Sequence, residues 1–228
     1  MTKDNKNVKI KILKDGPYMV TGKVPLCEKV IVPKGKTYEY EEGGTFPVKE
    51  QYALCRCGKS KNPPFCDGAH VKEGFDGTET ASKAKFEERA ELLKGPDLDL
   101  MDDGRCALGR FCHLEDGSVW QLVKKSDVPE YREQAIKGAS ECPAGRLVAL
   151  DKSGKPYEDE YEPSIEFLQD PEKGVSCGIF VKGNIPIESS NGEMYETRNR
   201  VMLCRCGESS NKPFCDATHV SAKYLDQE

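Results

Sequence analysis

Residues 55–70 read Cys-Arg-Cys-Gly-Lys-Ser-Lys-Asn-Pro-Pro-Phe-Cys-Asp-Gly-Ala-His, and residues 204–219 read Cys-Arg-Cys-Gly-Glu-Ser-Ser-Asn-Lys-Pro-Phe-Cys-Asp-Ala-Thr-His. Both follow C-x-C-x8-C-x3-H, with Pro-Phe just before the third cysteine. Three thiols and one imidazole at fixed spacing, written twice, form a metal-ligand pattern. Thiolates are soft ligands that suit zinc or iron–sulfur clusters, and imidazole suits both. Cys-x-Cys lets two thiolates reach one metal from a single loop. The third cysteine and the histidine, four residues apart, share one face if that stretch is a helical turn. Asp67 and Asp216 fall at the start of that turn, where a carboxylate accepts backbone N–H groups. Pro64 and Pro213 stop a helix from extending backwards.

The repeat extends beyond the ligands. Residues 8–14, Val-Lys-Ile-Lys-Ile-Leu-Lys, alternate apolar and basic and predict a half-buried strand. After the Asp15-Gly16-Pro17 turn, Tyr18–Leu26 reads as a second strand ended by proline. Residues 36–40 and 51–54 read as short strands, the latter running into Cys55. The later series matches: Ser164–Leu168 mirrors the first strand, and Asn199–Leu203 leads into Cys204. Val20-Thr21-Gly22-Lys23-Val24-Pro25-Leu26 recurs as Val181-Lys182-Gly183-Asn184-Ile185-Pro186-Ile187, that is V-x-G-x-[VI]-P-[LI]. The motifs are offset by 149 positions (204 minus 55). Two copies at that separation point to duplication and a pseudo-twofold pair, because a solenoid needs more copies at a shorter period.

The 228-residue chain carries a net charge of −5, with 37% hydrophobic residues. No basic cluster dominates, so nucleic acid is not expected as a partner. No apolar run approaches the ~18 residues of a membrane span. The start, Met1–Asn7, lacks the apolar core of a secretory signal. Eleven cysteines, an odd number in closely spaced groups without a signal peptide, argue against a disulfide framework. A cytoplasmic, metal-binding protein is the expectation. No nucleotide-binding glycine run follows a strand, and no hydrolytic or group-transfer constellation is visible, so an enzyme is not expected.

Between the repeats, Ser82 caps an expected helix over Lys83–Leu93, ended by Gly95-Pro96. Val119–Val123 reads as a strand, and Pro129 opens a helix that stops near Gly138. Residues 151–163 read as a linker. Cys106, Cys112 and Cys142 lie in this segment. Three thiols are one short of a ferredoxin set; His113 adjoins Cys112 as a substitute, and small buried core cysteines are the alternative. Cys27 and Cys177 have no counterpart in the other copy and read as structural.

Tetrahedral Cys3His is a common structural zinc set, but its usual C-x2-4-C pairs fit C-x-C-x8-C-x3-H poorly. The motif resembles the CDGSH iron–sulfur (NEET) family, whose pattern is C-x-C-x2-[ST]-x3-P-x-C-D-G-[SAT]-H. The first copy matches through Cys55, Cys57, Ser60, Pro64, Cys66, Asp67, Gly68, Ala69 and His70. The second matches at Cys204, Cys206, Ser209, Pro213, Cys215, Asp216, Thr218 and His219, and departs at Ala217, where the family has glycine. The resemblance implies one [2Fe–2S] cluster on Cys55, Cys57, Cys66 and His70, and another on Cys204, Cys206, Cys215 and His219. It implies strand-rich units paired through exchanged strands. The middle segment, ending Cys142-Pro143-Ala144-Gly145-Arg146-Leu147, resembles a divergent single-cluster ferredoxin-like domain and implies a third site on Cys106, Cys112 and Cys142.

The expected fold is therefore α+β and strand-rich: a first CDGSH unit over 1–78, a small α/β segment over 79–155 and a second unit over 156–228. The two units form a pseudo-dimer within a monomeric chain. The expected role is single-electron or cluster transfer, with redox or cluster-acceptor proteins as partners. A redox or iron sensor and a zinc-stabilised interaction module are the alternatives. A neutral imidazole in place of a thiolate raises the potential, as in Rieske centres, and makes the site acid-labile, since imidazole binds metal deprotonated and its free pKa is ~6.5. Lys59 against Glu208 places the first cluster at the higher potential.

Overall fold

The computed structural model describes residues 7–226; residues 1–6, most of the stretch read for a signal, lie outside them. The first third forms β1 (Lys9–Ile12), β2 (Tyr18–Thr21), β3 (Leu26–Lys34), β4 (Thr37–Phe46), β5 (Gln51–Leu54) and α1 (Ala69–Lys72). The middle forms α2 (Phe86–Arg89), β6 (Glu91–Lys94), β7 (Asp99–Asp102), β8 (His113–Leu114), β9 (Gly117–Ser118), α3 (Val119–Val123), α4 (Pro129–Ser140), β10 (Leu147–Leu150) and β11 (Pro156–Tyr157). The last third forms β12 (Ser164–Asp170), β13 (Val175–Lys182), β14 (Ile187–Glu188), β15 (Arg200–Leu203) and α5 (Thr218–Ser221).

The two ends interleave. One sheet runs β14-β1-β2-β5 and the other β15-β13-β12-β3-β4. The first therefore receives one strand, β14, from the opposite end of the chain, and the second receives two, β3 and β4. β3 lies parallel to β12, with Leu26 beside Ile165, and β14 lies parallel to β1, with Ile187 beside Ile10. The crossing points are the repeated V-x-G-x-[VI]-P-[LI] segments. Gly22 and Gly183, at φ +97° and +78°, turn the chain out of one sheet, and the following proline forbids continued pairing. The expected strand Tyr18–Leu26 thus breaks, and Leu26 opens a strand in the other sheet; Ile179–Ile187 behaves alike. β3, passed over in the sequence, is bonded on both sides.

Alternation explains the strands. In β1 Ile10 and Ile12 are fully buried, while Lys9 and Lys11 reach outward to Glu188 of β14. The shared core takes Ile10, Tyr18 and Leu54 from one unit and Ile165, Ile179 and Leu203 from the other. Two units with one core form an α+β, strand-rich pseudo-twofold pair.

The middle segment has its own core around Leu98, Leu100, Leu122, Ala135 and Leu147. Two elements there differ from the sequence expectation. Residues 83–93 are helical only over Phe86–Arg89, because Gly95-Pro96 turns a hairpin that pairs Leu93 with Leu100. Val119–Val123 is a helix: Gln121 Oε1 accepts the Ser118 N–H at 2.9 Å, and Val119, Leu122 and Val123 share one buried face. The helix from Pro129 extends to Ser140. Within the expected linker, Pro156–Tyr157 pairs with β10.

This segment is clamped onto the second unit. Arg200 of β15, 1% exposed, donates to the carbonyls of Cys142, Ala139 and Leu147 at 2.8–2.9 Å and pairs with Glu158. Arg110 pairs with buried Asp170 of β12 and stacks 4.2 Å from the Tyr38 ring centroid. Among the described residues, no helix is long and apolar enough to cross a membrane.

Candidate metal centres

Each ligand loop follows the last strand of its sheet. Cys55 N–H donates to the Pro64 carbonyl at 2.9 Å and Cys66 N–H to Ala53 at 2.9 Å; the second copy repeats this with Cys204 to Pro213 at 2.7 Å and Cys215 to Met202 at 2.9 Å. The Ser60 and Ser209 hydroxyls close the loops on the carbonyls of Phe65 and Phe214 at 2.6 and 2.7 Å.

Each aspartate bridges loop and helix. Asp67 accepts the N–H groups of Ala69 and Lys61, both at 2.9 Å. Asp216 accepts those of Thr218 at 3.1 Å and Ser210 at 2.8 Å, and both hydroxyls as well. Burial alone would raise the Asp216 carboxyl; these hydrogen bonds outweigh it and hold it at about 2. The third cysteine precedes the helix instead of starting it. Gly68 and Ala217, at φ +88° and +70°, intervene as left-handed N-caps, so the ligand pair is set by a turn and not by two helical positions.

The four donors in each loop are arranged as two pairs. Cys55 Sγ lies 3.8 Å from Cys57 Sγ, and Cys66 Sγ lies 3.4 Å from His70 Nδ1. The second copy gives 3.7 Å for Cys204–Cys206 and 3.5 Å for Cys215–His219. A tetrahedral metal with thiolate bonds of ~2.3 Å spaces two sulfurs by ~3.8 Å, and a sulfur and an imidazole nitrogen by ~3.5 Å. Each pair therefore has the span of two ligands on one metal. Among the described residues, no three or more His, Cys, Asp and Glu side chains are placed to hold a single ion. Each loop thus offers three thiols and one imidazole as two close pairs of donors.

The thiols within a pair are unequal. A hydrogen bond from Cys57, then backbone N–H groups of Ser60, Gly58 and Cys57, lower Cys55 to about 6. Cys206 and the N–H groups of Ser209 and Gly207 lower Cys204 to about 7. Their partners Cys57 and Cys206 are raised. N–H groups aimed at sulfur are what an anionic metal–thiolate site needs.

Arg56 and Arg205, between the paired cysteines, carry a role the sequence reading left unassigned. Both guanidiniums lie under the loops, 1% and 2% exposed. Arg56 donates to the carbonyls of Leu13 and Gly77 and lies against the Tyr18 and Phe75 rings. Arg205 donates to Cys177 and Leu168 carbonyls and pairs with Asp226. Their recurrence at the middle of C-x-C was the available signal. A buried cation beside four ligands offsets the negative charge that thiolates gather.

The family model described as iron-binding zinc finger CDGSH type matches residues 15–71 and again 178–220. The chain carries two CDGSH domains. Neither match includes the middle segment or the strands β1 and β12 that accept the exchanged strands. The comparisons with curated proteins and with solved structures gave no significant match.

The two CDGSH domains differ in cover. His70 is half-buried, whereas His219 is 2% exposed. Burial, and then the Arg205 guanidinium, lower the His219 ring to about 4. Cys215 and Val220 pack with Ile31 of the exchanged hairpin and Ala107 and Phe111 of the middle segment, so the second loop is roofed and the first is open.

Among the remaining cysteines, Cys177 is buried in that roof, where burial pushes it up to about 12, and Cys27 is half-buried on β3. Cys112 is raised to about 11 by burial and then by the nearby charges of Cys142 and Cys106, so these three stand in one neighbourhood. His113 is exposed.

Proposed function

We propose that the chain is a two-centre iron–sulfur protein that carries single electrons or hands on clusters, and that it is a carrier, not an enzyme. Cys55 with Cys57 and Cys66 with His70 would hold one [2Fe–2S] cluster, and Cys204 with Cys206 and Cys215 with His219 the other. The pairing of donors at tetrahedral-edge distances is the observation that carries this reading. When bound, such a cluster supplies one-electron chemistry at a potential raised by its histidine. The protein's part is to orient donors through Asp67 and Asp216, direct N–H groups at the sulfurs and set a buried guanidinium behind each loop. A visible absorption spectrum tests this: charge-transfer bands are expected, and a colourless, zinc-containing protein would refute it. The partners on this reading are redox or cluster-acceptor proteins.

A second reading concerns Cys106, Cys112 and Cys142. Burial raises the Cys142 thiol against the opposing pull of the Arg200 charge and of the Arg146, Ala144 and Leu147 N–H groups, and Leu108 N–H donates to Cys106 Sγ at 3.4 Å. Leu108 and Arg110 hold left-handed backbone at φ +58° and +68°, a conformation non-glycine residues keep where a site imposes it. The N–H donated to Cys106 and this strained backbone favour a third iron–sulfur site, although Cys142, unlike Cys55 and Cys204, is raised by burial. Iron analysis tests it: about seven or eight irons per chain are expected with a third cluster and about four without.

A further inference from the structure

Duplication makes each CDGSH domain the control for the other, and their surroundings differ where a partner would meet them. Around the open loop, Lys59, Lys61 and Lys72 are exposed and line one depression with the Asp67–Ala69 turn and Glu73. Their counterparts around the roofed loop are Glu208, Ser210 and Ser221. Among the described residues, none of these three lysines pairs with a carboxylate, so their charges face solvent. Asp67 is occupied by the N–H groups of Lys61 and Ala69. Val71, between His70 and Lys72 in the chain, is an apolar side chain 75% exposed, while its counterpart Val220 is packed into the roof. A chain of net charge −5 thus gathers three exposed lysines and an exposed valine around the loop whose histidine is the less buried.

We infer that this rim is the docking face for an acidic protein, and that the first domain is the port through which both centres communicate with partners. The port rests on the two-centre reading above; the docking face itself does not. Carboxylates on the partner would pair with Lys59, Lys61 and Lys72 around an apolar contact on Val71. The second centre is reached through the first, because Gly58 and Gly207 press the two ligand loops together across the pseudo-twofold axis.

The test is binding of an acidic plant-type ferredoxin to the intact, metal-loaded protein at low and moderate salt. Affinity is expected to fall about tenfold between about 20 and 200 mM salt. Lys59→Glu/Lys61→Glu/Lys72→Glu is expected to lose about tenfold at low salt, as is typical when rim charges are reversed. Lys124→Glu, an exposed charge reversal on the middle segment, should leave affinity within about twofold. All four positions are exposed, and an unchanged absorption spectrum confirms folding. No binding by the native protein, an unchanged triple variant, or an equal effect of Lys124→Glu would each overturn the inference. So would capture by phosphatidylserine vesicles in place of ferredoxin, which would assign the rim to a membrane surface. A colourless protein that still binds through these lysines would sink the two-centre reading and leave the docking face standing.

Discussion

A Cβ placed on Gly58 would stand 2.6 Å from the carbonyl oxygen of Cys206. The relation is reciprocal: one on Gly207 would stand 2.8 Å from the carbonyl of Cys57. Each glycine also holds positive φ, +70° and +82°. The two ligand loops therefore meet backbone to backbone, and only glycine permits it. Gly58→Ala or Gly207→Ala is expected to destabilise the protein by about 2–3 kcal/mol, adding left-handed strain to a steric push. Chemical denaturation of the single variants measures this; a loss below about 0.5 kcal/mol, within ordinary surface scatter, would contradict the packing.

Ala217 occupies, at φ +70°, the position that Gly68 holds at φ +88°. The second loop keeps the turn against a side chain that disfavours it. Ala217→Gly is expected to stabilise the protein by about 1 kcal/mol, and Gly68→Ala to cost about as much. Thermal melts of the two variants should move in opposite directions.

The two centres are expected to titrate as separate one-electron waves, the first domain at the higher potential. Reduction adds negative charge, which the exposed lysines favour and which burial under the roof, with Glu208 nearby, disfavours. A potentiometric titration followed by electron paramagnetic resonance resolves them. Lys59→Glu/Lys61→Glu should move the higher wave the further, and downward; a larger movement of the lower wave would reverse the assignment.

Acid should empty the first domain before the second. A proton must reach the imidazole to displace it from metal, and His70 is half-exposed while His219 is 2% exposed. The sign agrees with the ring's own affinity: burial and Arg205 lower His219 to about 4, so its neutral, metal-binding form persists further as pH falls below ~6.5. Bleaching at pH 5–6 should be biphasic, and His70→Cys should abolish the fast phase. A single phase in the native protein would contradict the inequality of the centres.

The ligand loops, the duplication and the bounding strands were legible because they rest on residue types at fixed offsets. Asp67 and Asp216 were legible too, since a carboxylate beside a helix start has few other uses. The exchange of β3 and β14 was signalled only as Gly-x-[VI]-Pro, which marks a break without saying which sheet receives the next strand. Val119–Val123 misled because a short β-branched apolar run suits strand or helix, and Gln121 at the third helical position decided it. The roof over the second centre was invisible: Phe111 and Ile31 reach Cys215 through tertiary packing alone. The lysine rim was present as letters, but its meaning required knowing which loop lies open.

Counting iron and acid-labile sulfide in the purified protein is the most direct test of the two-centre account. At least about four irons and four sulfides per chain are expected, and about four of each if the middle cysteines are metal-free. About two zinc ions per chain with no sulfide would contradict it.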